Sequence, residues 1–248
     1  MIIHKTMDLG WLSNTWLVAD EPGGHAVVID TGGPMQPILK HIEEYRLEIS
    51  HVLCTHHHHD HVAHNNEYKH RFGCPVCGHK AEEKLFAHGL DTTLEHGDEL
   101  VTGGLRIRAL HLPGHTKGQL GLLINEQHVF TGDTLFEGSV GGTRAPGHTH
   151  FKDLQHSIME VLMSLPHETK VYPGHMGATS IGREWEENPF IRAWRGIEQA
   201  SSRRCTAHGQ PAELLLRARD YDGGGKCWIR LCDSDEMDIV AGSRVELV

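Results

Sequence analysis

The sequence predicts an α+β fold that presents its chemistry on loops at one edge of a sheet. Three observations point there. Four separate segments end an apolar strand and at once present His or Asp in a polar or glycine-rich loop: residues 55–61, 113–116, 132–134 and 173–175. Loops held by rigid strands are where binding and catalytic groups are usually built. Runs with strand alternation are interleaved with runs of helical spacing, and residues 211–248 read as β throughout.

Taken in order, Met1 to Lys5 enter a strand directly. Residues 15–19 and 25–30 are strands about the turn Glu21-Pro22-Gly23-Gly24, and Asp30-Thr31-Gly32-Gly33 ends the second where the backbone must turn tightly. Residues 37–45 have helical spacing, with Ile38, Leu39 and Ile42 on one face. Residues 49–54 form an apolar-rich strand, 60–72 read as a helix, Val76 begins a short strand, and 80–87 read as a further helix. Residues 105–110 alternate as a strand, and 120–124 with 129–130 form a hairpin about Asn125-Glu126-Gln127. Residues 151–165 are a helix and 171–172 a strand. After a linker over 199–205, strands are expected at 213–219, 227–231, 237–240 and 244–248, with a turn at 222–225. The expected organisation is a catalytic domain over 1–198, then a linker and small C-terminal β module over 199–248.

A chain of 248 residues suits one sizeable domain with a small addition. Its net charge of −10 argues against nucleic acid and anionic membrane as partners and leaves a small-molecule substrate as the expected ligand. No apolar stretch approaches bilayer length, and the first residues lack a signal-peptide pattern, so a cytoplasmic address is expected. Six scattered cysteines agree with a reducing compartment. Cys74-Pro75-Val76-Cys77 has no second C-x-x-C beside it and reads as part of a buried strand rather than a zinc knuckle or redox pair.

The run Thr55-His56-His57-His58-His59-Asp60-His61 reduces to His-x-His-x-Asp-His. Neutral imidazole and carboxylate are the donors that zinc prefers. In an extended turn His56 and His58 point the same way and grip one ion; Asp60 and His61, where the chain turns into a helix, face a second. His57 and His59 occupy the x positions and point elsewhere, while His64 and His111 are expected beside the site. Pro-Gly-His occurs three times, at 113–115, 146–148 and 173–175, but only the first and third directly follow a strand. His115 and His175 are therefore candidate ligands and His148 is not. Residues 138–150 are expected as a loop over the cleft, where Arg144, His148 and His150 meet an anionic or polar substrate.

These motifs, in this order and spacing, resemble the metallo-β-lactamase superfamily over about residues 1–192. Gly132-Asp133-Thr134-Leu135-Phe136, Pro173-Gly174-His175 and the tail from Ile181-Gly182-Arg183 to Asn188-Pro189-Phe190 resemble bacterial glyoxalase II-like hydrolases. The resemblance implies an αββα sandwich of two mixed sheets with helices outside. It implies one metal held by His56, His58 and His115, another by Asp60, His61 and His175, and Asp133 bridging both. It further implies two zinc ions, with iron or manganese as alternatives, and Asp60 and Asp133 as catalytic carboxylates. The reaction implied is hydrolysis of a hydroxyacylglutathione-type thioester by a metal-bridging hydroxide. Two adjacent cations bring a shared water's pKa toward neutrality, and a thiolate leaves without a proton, so neither a nucleophilic side chain nor a further acid is required.

The chain departs from the family pattern in places. The usual Asp-His-x-Gly-Gly becomes Asp60-His61-Val62-Ala63-His64-Asn65. Glyoxalase II enzymes carry a helical C-terminal region that grips glutathione; here the region reads as β and is expected to cap the site, form a homodimer contact or add stability. Lactonases of the superfamily often carry a Tyr where Phe136 stands, and lactamases generally lack the bridging Asp. Acidic balance and the lack of a basic arm disfavour a tRNA-processing nuclease. All seven ligands being present disfavours a non-catalytic relative. A persulfide dioxygenase, with one iron on two His and one Asp, is the alternative in a different reaction class.

Overall fold

The computed structural model describes residues 1–198 and 200–248. Strands β1 (Ile2–Met7), β2 (Asn14–Ala19), β3 (His25–Ile29), β4 (Glu48–Leu53), β5 (Val76–His79) and β6 (Thr92–Leu94) form the first sheet in that spatial order. It is antiparallel from β1 to β3 and parallel from β3 to β6. Then follow β7 (Glu99–Thr102), β8 (Leu105–His111), β9 (Leu120–Ile124), β10 (His128–Gly132), the short ladder β11 (Leu135–Phe136) with β12 (Ser139–Val140), β13 (Lys170–Pro173) and β14 (Thr179–Ser180). The second sheet runs β14-β13-β10-β9-β8-β7, with β10 and β13 parallel. Asn125 and Glu126, both at positive φ, make the tight β9–β10 hairpin turn.

Period-2 alternation explains the layering. Trp16 and Val18 of β2 meet Leu105, Ile107, Leu120, Leu122 and Phe130 of the second sheet in a core between the sheets. Their neighbours Leu17 and Ala19 face outward, onto Ile38, Leu39 and Ile42 of helix α1 (Met35–Tyr45). On the far side Leu110, Leu123, Val129 and Val171 pack beneath Leu154, Ile158, Ile181, Phe190 and Ile191. The result is the helix–sheet–sheet–helix sandwich expected.

Several elements differ from the sequence reading. The helix expected over 60–72 is two helices, α2 (His59–Val62) and α3 (Asn65–Phe72). The break is tertiary in origin: the Thr31 N–H donates to the His61 carbonyl (2.6 Å), and the Thr31 carbonyl accepts from His64 N–H (3.2 Å). The 80–87 helix is a 3-10 segment, Lys80–Leu85. The 151–165 helix is α4 (Phe151–His156), continued by a π-helical stretch, Ser157–Leu162. The Ile181 to Phe190 tail forms α5 (Ile181–Glu187), capped by Ser180, and α6 (Pro189–Trp194), capped by Asn188 with Pro189 in its first turn.

The linker expected over 199–205 begins at Gln199, outside the described residues, and ends sooner, because β15 (Arg203–Ala207) already starts at Arg203. With β16 (Gln210–Arg219), β17 (Gly225–Leu231), β18 (Met237–Ala241) and β19 (Val245–Leu247) it forms an antiparallel sheet ordered β18-β17-β16-β15-β19. That sheet has a small core of its own around Leu214, Cys227, Ile229 and Val240. Its Leu215, Trp228 and Ile239 join the outer core of the second sheet, where Trp228 stacks on Phe151 at 5.8 Å.

Candidate metal centre

The strand ends of β4, β8, β10 and β13 open at one edge, and the seven side chains singled out from sequence meet there. His56 follows β4; its Nδ1 lies 3.0 Å from Thr55 Oγ1, which turns Nε2 inward. His115 Nδ1 lies 2.9 Å from the Gly142 carbonyl, which can only accept, so the proton sits on Nδ1 and Nε2 faces inward. His58 is held from outside by the Pro146 carbonyl, 2.8 Å from its Nε2, and its Nδ1 stands 3.1 Å from His115 Nε2. These three form one compact donor group.

Asp60, His61 and His175 form a second. His61 Nε2 lies 3.3 Å from Asp60 Oδ2 and 3.4 Å from Asp133 Oδ1. His175 Nε2 lies 3.1 Å from Asp133 Oδ2 and 3.8 Å from Asp60 Oδ2. Asp133 also reaches the first group, its Oδ2 standing 3.5 Å from His115 Nε2. One carboxylate thus lies between both groups.

The donor set fits metal. Nε2 of His56, Nε2 of His61 and Oδ1 of Asp133 are buried without a hydrogen-bond partner among the described residues, a costly arrangement unless something else satisfies them. Ligands about 2.0–2.2 Å from a tetrahedral ion stand roughly 3.3–3.5 Å apart, and the separations above bracket that spacing. Gly174 keeps the centre open: a Cβ there would fall 2.2 Å from Asp133 Oδ1 and 2.8 Å from His61 Cε1.

Electrostatics divide the groups. Burial, reinforced by neighbouring imidazoles, holds His56 well below the ordinary histidine range and brings His115 down to about 4. Both are therefore neutral donors at pH 7. His61 behaves oppositely: burial disfavours its charge, but Asp133, Asp30 and Asp60 raise its pKa well above the usual value. Burial would raise Asp133, yet His175 and His61 hold it well below the carboxylate range. The first group is thus an all-imidazole pocket and the second an anionic one.

Residues 9–175 match the metallo-beta-lactamase superfamily. The chain belongs to that superfamily. Hydroxyacylglutathione hydrolase GloC of Haemophilus influenzae is 33% identical over 188 residues, covering 68% of this chain and 88% of its own. A crystal structure of ETHE1 from Myxococcus xanthus superposes with a TM-score of 0.68 at 31% identity, covering 80% of this chain and 92% of that one. TTHA1623 in a di-iron-bound form gives a TM-score of 0.62 at 33% identity, covering 75% of this chain and 98% of that one. Membership and the hydrolase relatives mark the chain as a metal-dependent hydrolase.

The remaining residues named from sequence supply no donor to either group, although His57 packs on His58 at 4.8 Å. His57 lies against Glu82, His59 opens α2, His64 caps α3, and His111 stacks on His79. The 143–150 loop does touch the centre, through the Pro146 carbonyl on His58. Arg144, however, is in an ion pair with Asp238 of β18, and with His148 and His150 it lines a separate cavity of about 830 Å³ between this loop and residues 234–238.

Three contributors escaped the sequence reading. Asp30, at the end of β3 and at positive φ, accepts from Thr55 N–H and Thr55 Oγ1 (both 2.8 Å) and lies 3.0 Å from His61 Nδ1. It thereby turns His61 Nε2 toward the centre, as carboxylates behind histidine ligands do. Its signal was the one carried by the Gly132-Asp133-Thr134 loop, an Asp at the end of an apolar strand. Glu82, fully buried, accepts from His57 N–H and Gly118 N–H and so ties the histidine run to the His115 loop. Tyr221, in the β16–β17 turn, stacks on His175 at 4.3 Å and packs on Phe136 at 4.8 Å. Burial and then Asp133 push its phenol pKa up. Neither Glu82 nor Tyr221 stands in a local pattern that announces it.

Proposed function

We propose that this hydrolase is dinuclear and cleaves a thioester of the hydroxyacylglutathione type. The observation that supports the dinuclear reading best is Asp133, whose two oxygens stand 3.1–3.5 Å from donors of both groups. The named activity of the Haemophilus influenzae relative supports the substrate class. His56, His58 and His115 would hold one ion and Asp60, His61 and His175 the other, with Asp133 between them. Zinc is the metal proposed, iron or manganese the alternatives. Two ions held there would supply Lewis acidity and bring the pKa of a water toward neutrality.

The chain's own residues do the rest. Asp30 and the Gly142 carbonyl fix the imidazole tautomers, so the donors face inward before any substrate arrives. Phe136, buried beside His175, keeps bulk water from that flank. A thiol portion long enough to pass the 143–150 loop would meet His148 and His150 in the neighbouring cavity, where Arg144 is already paired with Asp238. Because a thiolate departs unprotonated, no acid is needed there.

The test is metal content of the purified chain together with S-lactoylglutathione hydrolysis, for wild type and Asp133→Ala. About two metals per chain with turnover, both lost in the variant (activity by about 100-fold or more), is the expected result. Full metal content and activity in Asp133→Ala would remove the bridging role. A single iron without hydrolysis would point to the oxygenase alternative.

A further inference from the structure

We propose that the C-terminal sheet completes the active site, with Tyr221 as a substrate-contacting residue whose phenol donates a hydrogen bond to an oxygen of the bound acyl group. The acyl identity rests on the function proposed above; the contact itself does not.

Position is the first argument. Tyr221 lies nearly parallel to the His175 ring, at 15°, with centroids 4.3 Å apart. Phe136, three residues after Asp133, packs against both rings. The phenol therefore stands beside the anionic donor group rather than on the outer surface of the C-terminal sheet. Its hydroxyl forms no hydrogen bond among the described residues; the only bond at this residue is the backbone one, from Tyr221 N–H to Asp220 Oδ1 (2.9 Å). A partly buried phenol usually finds a partner for its hydroxyl, and the carboxylates near enough to act on this one include Asp133 and Asp60 of the metal centre.

Fixation is the second argument. The turn bearing Tyr221 is clamped by a buried polar network linking two remote parts of the chain. Ser139 Oγ, in β12, donates to Asp220 Oδ1 (2.7 Å), and Lys226 Nζ lies 2.9 Å from Asp220 Oδ2. All three are under 9% exposed. The Lys226 ammonium sits 5.5 Å from the Tyr221 ring centre and 6.0 Å from that of Phe136. A buried ion pair adds little net stability over apolar packing, but it fixes geometry. What it fixes is one aromatic ring against one donor of the metal centre. A sheet that merely added stability would need no such clamp at this turn, since its hydrophobic attachment runs elsewhere, through Leu215, Trp228 and Ile239.

The experiment compares metal-loaded wild type with Tyr221→Phe, which keeps the stacked ring and removes only the hydroxyl. Acetohydroxamate, which presents two oxygens at an acyl position, is titrated by calorimetry, and kcat/KM for S-lactoylglutathione is measured in parallel. Loss of one neutral hydrogen bond should weaken acetohydroxamate about three- to tenfold and lower kcat/KM similarly, with metal content and melting temperature unchanged. Equal affinity and equal kcat/KM would overturn the contact. So would loss of metal or of melting temperature in Tyr221→Phe, which would make the hydroxyl structural, or failure of loaded wild type to bind the probe. Weaker probe binding in Tyr221→Phe, with no thioester turnover by wild type, would sink the thioesterase reading and leave the contact standing.

Discussion

Two buried carboxylates, Asp30 and Asp220, do comparable work beside the metal centre by different means. Asp30 touches a candidate ligand directly, its Oδ2 standing 3.0 Å from His61 Nδ1, and it spends its other contacts on Thr55, at the head of the histidine run. Asp220 touches no ligand. It holds Ser139 and Lys226, shapes a turn, and so places Tyr221 against His175. The first flank is set by hydrogen bonds between adjacent parallel strands; the second by packing of a sheet added from the far end of the sequence. The difference teaches that ligand orientation and cleft shape are separable here, and that each can be broken alone.

Asp220→Ala should have the largest effect on stability, because it leaves the Lys226 ammonium buried without its partner. A loss of about 3–5 kcal/mol is expected in urea unfolding, and the double variant Asp220→Ala/Lys226→Met should recover most of it. If Asp220→Ala costs little, Lys226 has another way to be solvated and the clamp is not one. Asp30→Ala should instead act on the metal: apparent affinity, read by competition with a chromophoric chelator, should fall by about 10–100-fold. Equal metal affinity in that variant would show that Asp30 supports only the Thr55 backbone. The smallest effect concerns the thiols. Burial pushes Cys77 up to about 12, and Cys54, Cys74, Cys205 and Cys227 are likewise buried and raised, so little thiolate exists at pH 8; Cys232 is the exposed one. Native alkylation should mark one cysteine and denatured protein six. Labelling of Cys205 or Cys227 without denaturant would reveal that the C-terminal sheet opens before the sandwich does.

The seven donors were legible in the sequence and the two flanks that hold them were not, for a physical reason. The histidine run, the two strand-ending Pro-Gly-His triplets and Gly132-Asp133-Thr134 each follow a strand whose alternation is visible, so chain order alone brings them to one edge. The two sheets follow from the same alternation. The break after Val62 was hidden because no Gly or Pro marks it; it is made by Thr31, some thirty residues earlier. The edge strand β7 was missed because only part of it is buried. Tyr221 was hidden more deeply: its neighbours Asp220, Asp222 and three glycines read as an ordinary hairpin turn, and only the docking of the whole sheet turns that hairpin toward His175. Arg144 illustrates the converse, a cation expected for substrate whose guanidinium is already occupied by Asp238.

The position of that hairpin along the chain has a consequence for how the enzyme is made. All seven donors, the last being His175, are synthesised before Tyr221. During translation the sandwich can gather its donors while the flank beside His175 is still bare, and the cleft acquires its final outline only when the closing sheet docks. The flank beside His175 is thus the last part of the site that chain order supplies.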